Sequence, residues 1–372
     1  MKVIINRTDA IGDTILTLPM AHAIKENFPG AKVLFIVSAK SADLFIGHPF
    51  VDEIHVYDSR MSTYRKLRKL FRMFRKFKAD AYFHVGGSFY PSYAAWITKV
   101  PFRGGLVSRW LSFIYLNKGV RQKRSLASMH ESDYNLELLK PLGIEPKENQ
   151  RKLFSPAITL TLDEKAEAIS KFKEEYKIDH NKPMIFIHPG MTGHTLNWAS
   201  RNYARLIERI EKRHPKKYLF VVSHTPSDGP YLLGLKDQLT NTNFDALKTN
   251  VVFFDGSKFG LRHYMGVLSH ADCFIGPSTG TTHIANALGI YMLGLYSPIK
   301  VQSARRWAPV LRDHKTKIIV PDVVCGEQYK CAGDTCPYFE CMAKVEVEDV
   351  YQEFVRLVPG IEKGESSSES AI

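Results

Sequence analysis

Short apolar runs, each closing on a small, polar or turn residue, alternate along this chain with stretches whose apolar positions recur every three or four residues. Residues 2–5, 32–37, 53–56 and 81–85 are runs of the first kind and predict strands, with helical patterns between several of them. A region crowded with charges and carrying Pro141, Pro146 and Pro156 then interrupts the rhythm and marks a boundary. The alternation restarts at 183–190 and continues at 218–224, 250–256, 273–278 and 291–298. Apolar runs separated by helical patterns are the signature of strands buried on both faces of a parallel sheet. Two such sets predict an α/β chain of two doubly wound domains, over residues 1–160 and 161–345, facing across a cleft. A helix is expected over 346–360, where it can return to the first domain, and the small polar residues of 361–372 predict a disordered tail.

With 372 residues the chain can build more than one sizeable core. No apolar run reaches the length of a membrane span, and charged residues interrupt the N-terminal stretch where a signal peptide would lie, so a cytoplasmic location is expected. The net charge of +13 changes the picture once it is located. Residues 1–150 hold 23 Lys and Arg against 13 Asp and Glu; residues 151–372 hold 28 against 25. The excess sits in the first half, which points to one polyanion-binding surface there. Within it, "YRKLRKLFRMFRKFKAD" (64–80) places Arg65, Lys66, Arg68, Lys69, Arg72, Arg75 and Lys76 around Leu67, Leu70, Phe71, Phe74 and Phe77 at helical spacing. "RWLSFIYLNKGVRQKR" (109–124) interleaves aromatics with Lys118, Arg121, Lys123 and Arg124. Such runs are most often solvated faces over a packed core. A nucleic-acid surface lacks any accompanying motif, and attraction to an anionic leaflet or a negatively charged lipid-linked acceptor suits them better.

Two loops carry candidate chemistry. In "CFIGPSTGTTHIANALG" (273–289) a strand ends at Pro277, and Ser278, Thr279, Gly280, Thr281 and Thr282 open a helix with His283 in its first turn. Hydroxyls at a helix start are ordinary caps. Four of them with a glycine, directly after a strand, also suit a diphosphate held by unpaired N–H groups. "HPGMTGHTLNW" (188–198) can add Thr192 to the same ligand. In "RTDAIGDTILTLPMAHAIKENFPG" (7–30) the equivalent loop instead carries Asp9 and Asp13, which would repel a phosphate. An acid in the first turn of a helix complements the macrodipole. Set opposite a separate anion site, Asp13 reads as a general base, with Asp9 the second choice.

"RTDAIGDTILTLP", "FIHPGMTGHTLNWASRNYARLI" and "FIGPSTGTTHIANALGIYMLGLYSP" resemble, in order and spacing, three signature segments of the bacterial heptosyltransferases, glycosyltransferase family nine. The resemblance runs over roughly residues 1 to 360 and implies a GT-B fold: two Rossmann-like domains, acceptor on the first and nucleotide-sugar on the second. It implies that Asp13 is the base of an inverting transfer and that Ser278 to His283 bind the donor. The expected partners are a nucleoside-diphosphate sugar, ADP-heptose first, and an anionic lipid-linked saccharide of the lipopolysaccharide inner core. The site would then be peripheral on the inner face of the bacterial inner membrane, with no further cofactor and no metal. The chain departs from the family pattern at Leu196, where a lysine is usual, and at Ser278, where an aspartate is common. A nucleotide-sugar epimerase on the same fold and a non-catalytic, membrane-associated relative are the alternatives. Cys325, Cys331, Cys336 and Cys341 lack the C-x2-C pairs usual in structural zinc sites, and free thiols are the expectation.

Overall fold

The computed structural model describes residues 1–146, 158–191, 196–311, 313–325 and 331–360. It divides into two compact units. One is Met1–Leu160 with Arg305–Leu311; the other is Thr161–Ala304 with the described residues after 311.

The first unit is built on a six-stranded sheet of β1 (Lys2–Arg7), β2 (Lys32–Ser38), β3 (Glu53–Tyr57), β4 (Ala81–Gly86), β5 (Phe102–Leu106) and β6 (Lys118–Val120). Its order is β3-β2-β1-β4-β5-β6, and every ladder is parallel. Val3, Ile4 and Ile5 of the central strand are wholly buried, as a run covered on both faces must be. The helix Thr63–Phe77 docks through Leu70, Phe74 and Phe77, which join Ile4, Leu34, Ile36 and Tyr82 in one core. Burying each of these three side chains contributes about 1.5–3 kcal/mol. That is enough to hold a helix whose other face repels itself.

The second unit repeats the plan. Strands β7 (Met184–Ile187), β8 (Leu219–His224), β9 (Val251–Asp255), β10 (Ala271–Pro277), β11 (Tyr291–Leu295) and β12 (Thr316–Ile319) form a second all-parallel sheet, ordered β12-β11-β10-β7-β8-β9. Read from the other edge, this is the order of the first sheet again. Ile185, Ile187, Phe220, Val222 and Leu293 meet Tyr203, Leu206, Ile207 and Ile210 of the helix Ser200–Arg213 in its core.

One expectation needs correction. The helix Val347–Leu357 belongs to the second unit. Val350, Tyr351 and Phe354 bury themselves in the second core, and Trp198 Nε1 donates to the Val345 carbonyl at 2.8 Å just ahead of it. The segment that joins the first unit is Arg305–Leu311 instead. Strands β5, β6 and β12 were absent from the sequence pattern, because "FRGGL", "KGV" and "TKII" are too short or too poor in apolar residues to stand out.

Candidate functional site

In a doubly wound sheet the strand order reverses at a switch point, and ligands gather beyond the carboxyl ends of the strands there. In the first sheet the switch lies between β1 and β4. The loop after β1 carries Asp9 and the five-residue helix Ile11–Ile15 with Asp13. Asp13 does not cap that helix: the N-cap is Ala10, with no side-chain bond to the helix start. Its Oδ1 instead accepts from Arg7 Nη2, while Oδ2 has no partner among the described residues. Arg7, the last residue of β1, also donates through Nε to Asp9 Oδ1 at 2.8 Å and through Nη1 to the Val85 carbonyl at 3.2 Å. That last bond depends on a register shift, since Asn6 pairs with His84 but Arg7 with Gly86, which leaves Val85 to the side. A Cβ on Gly86 would lie 2.8 Å from Asp9 Oδ2 and 2.9 Å from Arg7 Nη1, so only glycine leaves room for the pair.

Behind Arg7 stands Glu131, whose side chain is 1% exposed. It accepts from Arg124 Nη1 through Oε1 and from Arg306 Nε at 2.9 Å through Oε2, and its Oε1 lies 3.8 Å from Arg7 Nη1. Three arginines and three carboxylates thus form a network of zero net charge, the condition under which burying ions is tolerated. Burial alone would lower the Arg7 pKa, but Asp13, Asp9 and Glu131 outweigh it and raise it. Burial would likewise raise Glu131, and Arg124, Arg306 and Arg7 hold it below its ordinary value. Asp9 is raised, by burial first and then by the neighbouring Asp13, against the pull of Arg7. His84, 3.1 Å from the Asn6 amide, falls to about 3 through burial and the positive charges of Arg7, Arg109 and Arg124, so it is neutral at the network's edge. The arrangement fixes one oxygen of Asp13 and leaves the other open, which is what a proton acceptor requires.

The second sheet has its switch between β7 and β10, and the hydroxyl-rich loop follows β10. Thr279 is the N-cap of the helix Gly280–Ala287 with extended backbone, and its side chain makes no cap bond. Its Oγ1 lies 2.8 Å from Thr281 Oγ1 and 3.4 Å from Thr282 Oγ1. Thr279, Gly280 and Thr281 are partly open, whereas Ser278 and His283 are buried. The Thr282 hydroxyl is a correction: fully buried, it donates to the Pro277 carbonyl and fixes the strand-to-helix turn rather than facing a ligand. After β7, His188 Nδ1 lies 3.0 Å from the Ser223 carbonyl oxygen, and burial lowers its pKa. A Cβ on Gly190 would lie 2.4 Å from Asp228 Cγ, so here too a glycine lets a carboxylate approach. Thr192 lies outside the described residues. Leu196 packs against the second core, which accounts for an apolar residue at that position.

Of the basic positions, Arg65, Arg68, Lys69, Arg72, Arg75, Lys76, Arg121 and Lys123 are exposed. Lys66 is half-buried and donates to the Ser59 carbonyl at 3.1 Å. Arg124 is buried against Glu131 and is withdrawn from the surface set, because its charge answers an interior carboxylate. Among the described residues no three His, Cys, Asp or Glu side chains are grouped to hold a metal ion. No described helix is long and apolar enough to cross a membrane. Cys341 is buried in the second core, while Cys331 and Cys336 accept backbone N–H bonds from Gly333 and Tyr338, each at 3.4 Å.

Sequence reading missed Arg7, Glu131, Arg306 and His188. Arg7 carried a signal, as a lone cation ending an apolar strand two residues before an acid. The others carried none.

The chain matches the family model of glycosyltransferase family 9 (heptosyltransferase) over residues 67–330. It is 24% identical over 312 residues to a Haemophilus influenzae protein provisionally named a glycosyltransferase, covering 83% of this chain and 86% of that protein. It is 19% identical over 363 residues to the Campylobacter jejuni lipooligosaccharide heptosyltransferase 2, covering 96% and 98%. The solved structure of Escherichia coli ADP-heptose LPS heptosyltransferase II superposes with a TM-score of 0.76 at 19% identity, over 96% of this chain and 98% of that one, and carries the GT-B fold.

Proposed function

Since the chain belongs to glycosyltransferase family 9 and is a glycosyltransferase, we propose that it moves a heptose or related sugar from a nucleoside diphosphate, ADP-heptose first, to a lipopolysaccharide inner-core acceptor with inversion. The observation that carries this reading is the Asp13 carboxylate, clamped on one oxygen by Arg7 and open on the other. In the reaction an acceptor hydroxyl attacks the anomeric carbon. The new C–O bond forms as the bond to the diphosphate breaks, the hydroxyl proton goes to Asp13, and the electron pair leaves with the nucleoside diphosphate. N–H groups at the start of the helix Gly280–Ala287, with the Thr279 and Thr281 hydroxyls, would stabilise the charge growing on that leaving group. With Leu196 packed inward, this helix start takes over the neutralising part that a lysine would play. An acceptor carrying phosphate and lipid suits the cationic first unit, and it would keep the enzyme at the cytoplasmic face of the membrane that holds that lipid.

The test separates the two roles. Asp13→Asn keeps the side-chain shape and should lower turnover about 10²–10⁴-fold while leaving ADP affinity, measured by calorimetry, unchanged. Equal losses of turnover and ADP affinity would remove Asp13 from the role of base.

A further inference from the structure

From Ser59 to His130 the chain carries 16 Lys and Arg and a single acid, Asp80. The stretch contains three neighbouring helices of the first unit, Thr63–Phe77, Tyr90–Ile97 and Trp110–Tyr115, and the first of them carries seven of these cations. Aromatic contacts link them: Phe71 to Tyr93 at 6.1 Å, and Tyr115 to both Tyr93 and Trp96 at 5.7 Å. On the first helix Arg65, Arg68, Lys69, Arg72, Arg75 and Lys76 face outward, and among the described residues none forms an ion pair. On the other two the outward residues are apolar. Trp110 is 71% exposed, Phe113 59% and Ile114 46%, with Trp96 and Ile97 open as well. Exposed Arg109, Lys118 and Arg121 border them, and the Arg121 guanidinium sits 5.6 Å over the Phe113 ring.

A cluster of large apolar side chains in water is unfavourable and marks a contact surface. Its composition selects the partner. A nucleic acid would use the aromatics as stacking platforms but has no use for Ile97 and Ile114 among them. A protein partner would need a matching acidic face for every cation. An anionic bilayer supplies both halves: a uniform negative plane for the arginines and lysines, and a headgroup–acyl boundary where Trp and Phe settle.

We propose that this face enters an anionic membrane, with Trp110, Phe113 and Ile114 inserted below the headgroups and the cationic helix lying against them. The attachment has two separable parts, an electrostatic one and an apolar one, and neither rests on the transfer chemistry proposed above. Vesicles of phosphatidylglycerol and phosphatidylcholine would be mixed with the full chain and sedimented at low salt and at about 1 M salt, where charges are screened beyond about 3 Å. The intact chain should bind at low salt and retain a measurable fraction at high salt. Trp110→Ser with Phe113→Ser should abolish the salt-resistant fraction and weaken low-salt binding roughly tenfold or more. Arg68→Glu with Arg72→Glu and Arg75→Glu should remove the salt-sensitive fraction instead. Brominated lipid should quench the intact chain's fluorescence more than that of Trp110→Ser. These side chains are exposed, so thermal melting and ADP affinity should match the parent, and that match certifies the fold. Binding that vanishes entirely in high salt, or a Trp110/Phe113 variant that binds like the parent, would overturn insertion.

Discussion

The two sheets share one strand order and both place a loop at the switch point, yet the loops have opposite chemistry. Beyond β1 stand Asp9 and Asp13, held by an arginine from the strand itself. Beyond β10 stand hydroxyls and the start of the helix Gly280–Ala287, with no charged side chain between Ser278 and Thr282. Topology therefore fixes where a ligand can approach, and side chains decide what is done there. The acidic loop needs a buried counter-charge system to keep its carboxylates in place. The neutral loop needs only Thr282 bonded back to Pro277. One end is expensive to build and the other is simple, and mutation should expose that difference.

The largest effect is expected from Glu131→Ala. Removing the carboxylate leaves the buried Arg124 and the partly buried Arg306 without their partner, a loss of about 3–5 kcal/mol in urea unfolding. A loss below about 1 kcal/mol would mean that the network does not brace the acidic loop. Next comes acid sensitivity. The His84 pKa lies at about 3 in the folded protein against an ordinary 6.5, so the unfolded chain takes up a proton that the folded one refuses. The contribution is fully present above pH 6.5 and declines as pH falls toward 3, by at most about 1.4 kcal/mol per pH unit. Unfolding of His84→Gln followed over one pH unit inside that window should lack this slope; an unchanged slope would place the acid-sensitive group elsewhere. The smallest change belongs to the neutral loop. Thr279→Ala removes one hydroxyl and should weaken ADP binding by about 1 kcal/mol, close to fivefold, with stability nearly unchanged. Unaltered ADP affinity would detach Thr279 from the ligand and erase the contrast between the loops.

The parts of this architecture written in the sequence are those fixed by local periodicity. Strands β1 to β4 and β7 to β11 announce themselves as apolar runs, and Asp13 and Ser278–His283 as loops placed between a strand and a helix. What escaped depends on distant residues. Arg7 and Arg306 meet Glu131 only after the sheet has formed, and nothing in a linear reading joins positions so far apart. Arg124 was misread for a related reason. It ends a basic run whose other members are solvated, and only the position of Glu131 shows that it turns inward. Thr282 looked like its hydroxyl neighbours until the strand end turned toward it. The family resemblance supplied the position of the lysine that Leu196 replaces, and the packing of the second core explains why leucine is at home there.

Arg306 reaches Glu131 from 175 positions further along the chain, and Ala308 beside it meets His130 at 2.7 Å. A fragment cut after the boundary near residue 160 would therefore keep every strand of the first sheet and still lack a cation for its most enclosed acid. Anyone dividing this enzyme into halves for separate expression, or permuting its ends, would have to carry that short late stretch along with the early half.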